Sequence, residues 1–173
     1  LEPNEGDMHR RSIHVLADGV GSRIDLSGLQ QFTDNDAYTT SQDWGEYSSL
    51  RATGGGAITL GILNSLDGIW VTLDTAGAMD LSTLTGLTDG RLEYRGFAIP
   101  LPALVNLTHT DVVVDGLDVS YAGVTSVNEA NFTVSGGSVS LPLVTGKQGG
   151  SFSAQAGRIE APNLASLART SLS

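Results

Sequence analysis

From Met79 onward, apolar residues return every twenty positions without a gap. One column reads Met79, Ile99, Val119, Val139, Ile159; a second reads Leu81, Leu101, Tyr121, Leu141, Ala161; a third reads Leu84, Leu104, Val124, Val144, Leu164. Later in each unit come Leu92, Val112, Phe132, Phe152, Leu172 and, two residues on, Tyr94, Val114, Val134, Ala154. Gly96, Gly116, Gly136 and then Ala156-Gly157 follow. The pattern runs backwards as well. Ile58, Leu60, Leu63 and Leu66 open a 21-residue unit, and Ile24, Leu26, Leu29 and Phe32 open another that closes at Leu50, Ala52 and Gly54. Ile13, Val15 and Gly19 read as the closing half of a still earlier unit.

A unit of this kind cannot bury its apolar face alone, and stacking its neighbours makes a continuous core. The reading is an all-β chain: a single parallel β-solenoid, or β-helix, of about seven coils of ~20 residues. With strands ~4.8 Å apart the rod is on the order of 34 Å long. Residues 1–23 form an amino-terminal cap and first half coil, and residues 24–173 the solenoid, with an insertion at 33–47. Strand alternation turns Leu92 and Tyr94 and their equivalents inward, and the residues between them outward. That leg carries no proline and is expected to form an unbroken parallel sheet. The other leg carries Pro100, Pro102, Pro142 and Pro162 and is expected to be bent or only briefly stranded. The glycines after the strand suit corners that need φ > 0 or close backbone approach. A β-sandwich alternates turn signals too, but it has no need of a fixed twenty-residue register.

Composition agrees. The 22 glycines favour turns, and 40% hydrophobic with 16% charged residues is neither a disordered nor a highly charged chain. A net charge of −10 argues against nucleic acid and anionic membrane surfaces as partners. No apolar run is long enough to span a membrane as a helix. Stability must come from packing, because the chain has no cysteine.

The segments "SLPLVTG", "EAPNLASL" and "DLSTLTGL", each set against a Gly-ended strand, resemble the L-P-x-L and G-G-x-L units of large secreted bacterial β-solenoid proteins. They are similar, more distantly, to receptor L domains and leucine-rich repeat solenoids. The spacing differs from that of true leucine-rich repeats, and no asparagine column exists. The resemblance implies an extracellular or cell-surface location and a binding, adhesin or spacer role.

A regular solenoid is mostly scaffold, so its irregularities are where function is sought. The insertion "TDNDAYTTSQDWGEY" sets Asp34, Asn35, Asp36, Asp43 and Glu46 beside Tyr38, Trp44 and Tyr47. Trp70, one coil later, faces out if its neighbours Val71 and Leu73 face in. Exposed aromatic faces stack on sugar rings while flanking carboxylates and amides meet hydroxyls. Tyr38, Trp44, Tyr47, Trp70 and Asp43 are therefore the candidate ligand-binding residues, and a polysaccharide or cell-surface glycan the candidate partner. Asp34, Asp36 and Glu46 are oxygen donors of the kind Ca²⁺ takes, which makes calcium the candidate cofactor. The alternative is a cap, with the aromatics packed over the solenoid's side; end-to-end contact with further coils or another chain is a related expectation, since open sheet edges recruit strands.

Lys147 stands in an inward column among Leu87, Leu107, Val127 and Leu167. It must snorkel out or find a partner, and a locally bulged "TGKQGG" turn is the expected outcome. His9, His14 and His109 lie far apart in register and make no metal spacing. The outward charges Arg91, Glu93, Arg95, Asp111 and Asp115 read as cross-strand ion pairs rather than an acid and base in a cleft. The expectation is a non-catalytic extracellular binding module. A structural spacer or adhesin segment is the alternative, and a polysaccharide-cleaving β-helix enzyme the remote one.

Overall fold

The computed structural model describes residues 12–34, 47–74 and 77–173. Among the described residues there is no helix, and every strand pair is parallel. The chain is a β-solenoid of about six turns. Its largest sheet runs His14–Asp18, Ser48–Thr53, Ile69–Asp74, Arg91–Arg95, Asp111–Ser120, Asn131–Ser140, Ser151–Gln155 and Ser171–Leu172, in that order. Two further legs are shorter. One stacks Arg23–Asp25, Ala57–Thr59 and Ala78–Met79; the other stacks Gln31–Thr33, Ser65–Asp67 and Gly86–Thr88, then resumes as Gly146–Gln148 on Ser166–Ala168. Single bridges from Gly86 to Asn106 and from Asn106 to Ser126 extend the first run toward the second.

The register is the sequence period. Val112 pairs with Phe132 and Phe132 with Phe152, while Trp70 pairs with Arg91 across the 21-residue unit. His14 pairs with Ser49, so the insertion lengthens one coil without disturbing the stack. Between Arg95 and Asp111 the chain forms no strand beyond the bridge at Asn106. Pro100 stands where Ser120 and Ser140 extend a strand and has no N–H to give, whereas the gap after it recurs in the proline-free segment 121–130. At the corner after the long strand, Gly96, Gly116, Gly136 and Ala156 all take positive φ. Gly137 shows the close approach: a Cβ there would sit 2.0 Å from the Leu117 carbonyl oxygen.

The interior is one continuous apolar column set. Leu63, Leu84, Leu104, Val124 and Val144 are wholly buried, as are Leu66, Leu87, Leu107 and Val127. Each large aliphatic side chain so buried contributes about 1.5–3 kcal/mol. Phe132 meets Phe152 edge-on at 5.5 Å and Tyr121 at 6.4 Å. The two buried phenols satisfy each other, with the Tyr121 hydroxyl donating to that of Tyr94 at 3.1 Å. Burial holds both hydroxyls above the ordinary phenol range.

Lys147 departs from expectation. The strand Gly146–Gln148 is regular, and its lysine neither snorkels nor bulges the chain. The residue is buried, its Nζ donates to the carbonyls of Val127 (3.0 Å) and Ala130 (2.5 Å), and the ammonium lies 5.1 Å from the Phe152 ring. Those two carbonyls and an aromatic face replace part of the lost hydration. Burial nevertheless lowers its pKa from 10.5 to about 8, against the pull of Glu129.

Candidate functional site

The first outward position of each long strand makes a ladder along the solenoid. Trp70, Arg91, Asp111, Asn131 and Ser151 stand one above another in register. Strand spacing brings each within reach of the next. The Arg91 guanidinium lies over the Trp70 ring, 4.8 Å from its centroid. Asn131 Nδ2 donates to Asp111 Oδ1 at 2.9 Å, and Ser151 Oγ donates to Asn131 Oδ1 at 3.0 Å. Tyr47 also meets Trp70, edge-on, with ring centroids 5.8 Å apart.

A second column closes the site. At the bend just before the long strand, Asp89 and His109 take left-handed backbone conformations (φ 51° and 53°), where Gly68 and Gly149 stand in other coils. Their side chains join the ladder residues around a cleft of about 340 Å³, lined by Tyr47, Trp70, Asp89, Gly90, Arg91, His109, Asp111 and Asn131. His109 Nδ1 lies 3.3 Å from Asp89 Oδ1. Burial raises the pKa of the Asp89 carboxyl, the His109 ring opposes that shift, and neighbouring Asp67 reinforces it.

Among the described residues, two donors in this cluster have no acceptor. Trp70 Nε1 and Arg91 Nε are buried without a hydrogen-bond partner among the described residues, and Glu93 Oε2 stands 3.8 Å from Arg91 Nε, beyond hydrogen-bond reach. Such orphaned donors are rare in folded proteins and call for an explanation. The carboxylates of Asp89 and Asp111 supply acceptors beside them. A group that both donates and accepts would satisfy the cleft's mixed lining.

Of the residues named from the sequence, Tyr47 and Trp70 come together here. Tyr38, Asp43 and Trp44, and the calcium candidates Asp36 and Glu46, lie outside the described residues. Asp34 is described: its Oδ2 accepts the Ser48 N–H at 2.9 Å, tying together the two ends of the insertion. Among the described residues no group of three or more His, Cys, Asp or Glu side chains is placed to hold a metal ion. Arg91 and Asp111 were visible in the sequence as outward charges, but Arg91 engages Trp70 as well as Glu93. Asp89 and His109 were not foreseen as site residues. Little in the sequence marks them: the same column holds Gly68 and Gly149, but also Glu129 and Arg169, all with positive φ.

Compared with known proteins, the chain matches no family model, no curated protein and no solved structure. Among the described residues no helix is long and apolar enough to cross a membrane.

Proposed function

We propose that this chain is a non-catalytic binding module of an extracellular or cell-surface protein, and that it holds a neutral, hydroxyl-rich glycan in the cleft at Tyr47, Trp70 and Arg91. The observation that carries the reading is the pair of donors, Trp70 Nε1 and Arg91 Nε, that have no partner among the described residues, in a cleft lined also by Asp89 and Asp111. Sugar hydroxyls donate to carboxylates and accept from N–H groups, so one hydroxyl-bearing ring answers both needs. Two acids against one arginine leave the cleft without the excess positive charge that an anionic sugar would require. Tyr38, Trp44 and Asp43 would extend the aromatic–acidic surface, and Asp34, Asp36 and Glu46 remain the proposed calcium donors at the insertion.

The test is a glycan array and calorimetric titration with the wild type and Trp70→Ala, with thermal melts of both as folding controls. Neutral oligosaccharide binding by the wild type, weakened at least about tenfold in the variant, is the expected result. Absence of binding, or equal binding by both proteins, removes the proposal and leaves a structural spacer or adhesin segment. For calcium, a melting temperature unchanged by a chelator counts against the site.

A further inference from the structure

One leg of each coil, from the turn that follows the Ile58 column into the strand at Ser65–Asp67 and its equivalents, has an unusual exterior. Residues 61–65, 82–86, 102–106, 122–126, 142–146 and 162–166, one window from each of six successive coils, contain no charged side chain and no aromatic ring. The whole chain carries a net charge of −10, so charge is segregated away from this face. The central residue of the first five windows is wholly buried, and the other positions are exposed or half-buried. Some hydroxyls here are already engaged within the stack: Thr83 Oγ1 donates to the Leu63 carbonyl at 2.7 Å and Thr85 Oγ1 to that of Asn64 at 2.8 Å. Each window opens on a turn closed by its central residue's N–H, as from Leu63 to the Leu60 carbonyl, and most of its side chains are small and uncharged.

Three large apolar side chains stand out from it: Ile62, Val105 and Leu143, exposed by 46%, 46% and 49%. They fall on the first, third and fifth of the six coils. The second, fourth and sixth coils offer only small or polar residues at the equivalent positions, Thr83, Thr125 and Asn163 among them.

We infer that this face binds the same face of a second copy of the chain, with the two solenoids antiparallel about a two-fold axis lying across the coils, between the third and the fourth. That operation places the first coil on the partner's sixth, the third on its fourth and the fifth on its second. Ile62 then faces Asn163 of the partner subunit, Val105 faces the partner's Thr125, and Leu143 faces the partner's Thr83. Each rung receives one protruding side chain against one recess. A parallel pairing would put two protrusions on alternate rungs and none between. Sliding by one coil to include the coil at Ile24 would stack Val105 on its own symmetry mate and hold the faces apart. An isologous contact needs a self-complementary patch, which this alternation supplies. Four outward positions in each of six coils approach the roughly 20–30 residues a side of a standard interface. Copies that repel through their acidic surfaces meet no such penalty here.

The test is sedimentation velocity of the 173-residue chain from micromolar to submillimolar concentration. Reversible self-association toward twice 18.0 kDa is expected. Thr125→Lys should weaken it about tenfold or more by burying an unpaired charge, whereas Thr133→Lys on the long sheet should leave it unchanged. The chain has no cysteine, so register is read directly. Asn64→Cys combined with Ala165→Cys should cross-link under mild oxidation, because these positions oppose each other. Asn64→Cys alone should not, since its symmetry mate lies five strand spacings, ~24 Å, away. A monomer at every concentration overturns the inference. So does a dimer indifferent to Thr125→Lys, efficient cross-linking by the single variant, or a monomer whose uncharged face instead adsorbs an insoluble neutral polymer.

Discussion

Two exteriors of one solenoid differ sharply although the same interior supports both. The outward ladder of the long sheet runs from tryptophan through arginine, aspartate and asparagine to serine, and every contact in it is specific to one pair of coils. The uncharged leg carries small, hydroxyl, amide or proline side chains in every coil, with Ile62, Val105 and Leu143 protruding from alternate coils. Behind both, the interior columns hold an apolar residue almost without exception. The difference shows where each property is written. Stacking constrains the inside of every coil equally, while each outside position answers to what it meets in solvent.

That division can be broken first from within. Phe132→Ala, at a wholly buried site between Tyr121 and Phe152, should cost about 3–5 kcal/mol in urea unfolding. Thr133→Lys, the next residue along and facing out, should stay within about 0.5 kcal/mol. Comparable losses at both would deny the distinction between inside and outside.

Lys147 is the one charged side chain buried among the described residues, and it sharpens the rule. Lys147→Leu should stabilise the protein at neutral pH by about 1–3 kcal/mol. Both carbonyls keep backbone donors without the lysine: the Ser151 N–H on Ala130 and the Ala130 N–H on Val127. In the wild type, the unfolded chain holds a lysine proton between pH 8 and 10.5 that the folded chain has released. Stability should therefore rise with pH across that window, by at most about 3 kcal/mol. Tyr94 and Tyr121 act with the opposite sign. Their folded hydroxyls stay protonated where unfolded tyrosines ionise, so stability should fall above about pH 10. Lys147→Leu should flatten the rise and leave the fall. Chemical denaturation at stepped pH measures both, and a wild-type profile flat from pH 8 to 10 would contradict the buried ammonium.

Smaller effects belong to the outside. Ser138→Ala removes an exposed hydrogen bond to Asp118 and should cost about 0.5 kcal/mol or less in the same unfolding assay. A larger loss would mean that outward ladders carry stability as well as recognition.

The twenty-residue period made the coils, the inward columns, the proline-interrupted leg and the glycine corner legible in advance, because each follows from packing or backbone sterics repeated at fixed intervals. Tyr47 and Trp70 were legible as outward aromatics beside an insertion. Asp89 and His109 were not, because a period in apolar residues carries no information on the sign of φ at a polar bend, and that sign directs their side chains to the cleft. Lys147 was identified as an anomaly but misjudged: the fixed register keeps its strand straight, and two carbonyls within reach take the ammonium inside. The uncharged leg lay in plain view, but an absence of charge leaves no mark on a search for repeated apolar positions.

The stack itself is open to the most direct test. Nitroxide labels on cysteines replacing outward Val113, Thr133 and Ser153 occupy the same position in three successive coils. Dipolar broadening should be strongest for the pairs 113/133 and 133/153, at about one strand spacing (~5 Å), and weaker for 113/153, at about twice that. A 113/153 pair as close as 113/133, or any adjacent pair too distant to broaden the spectrum, would contradict coils laid in register along a common axis.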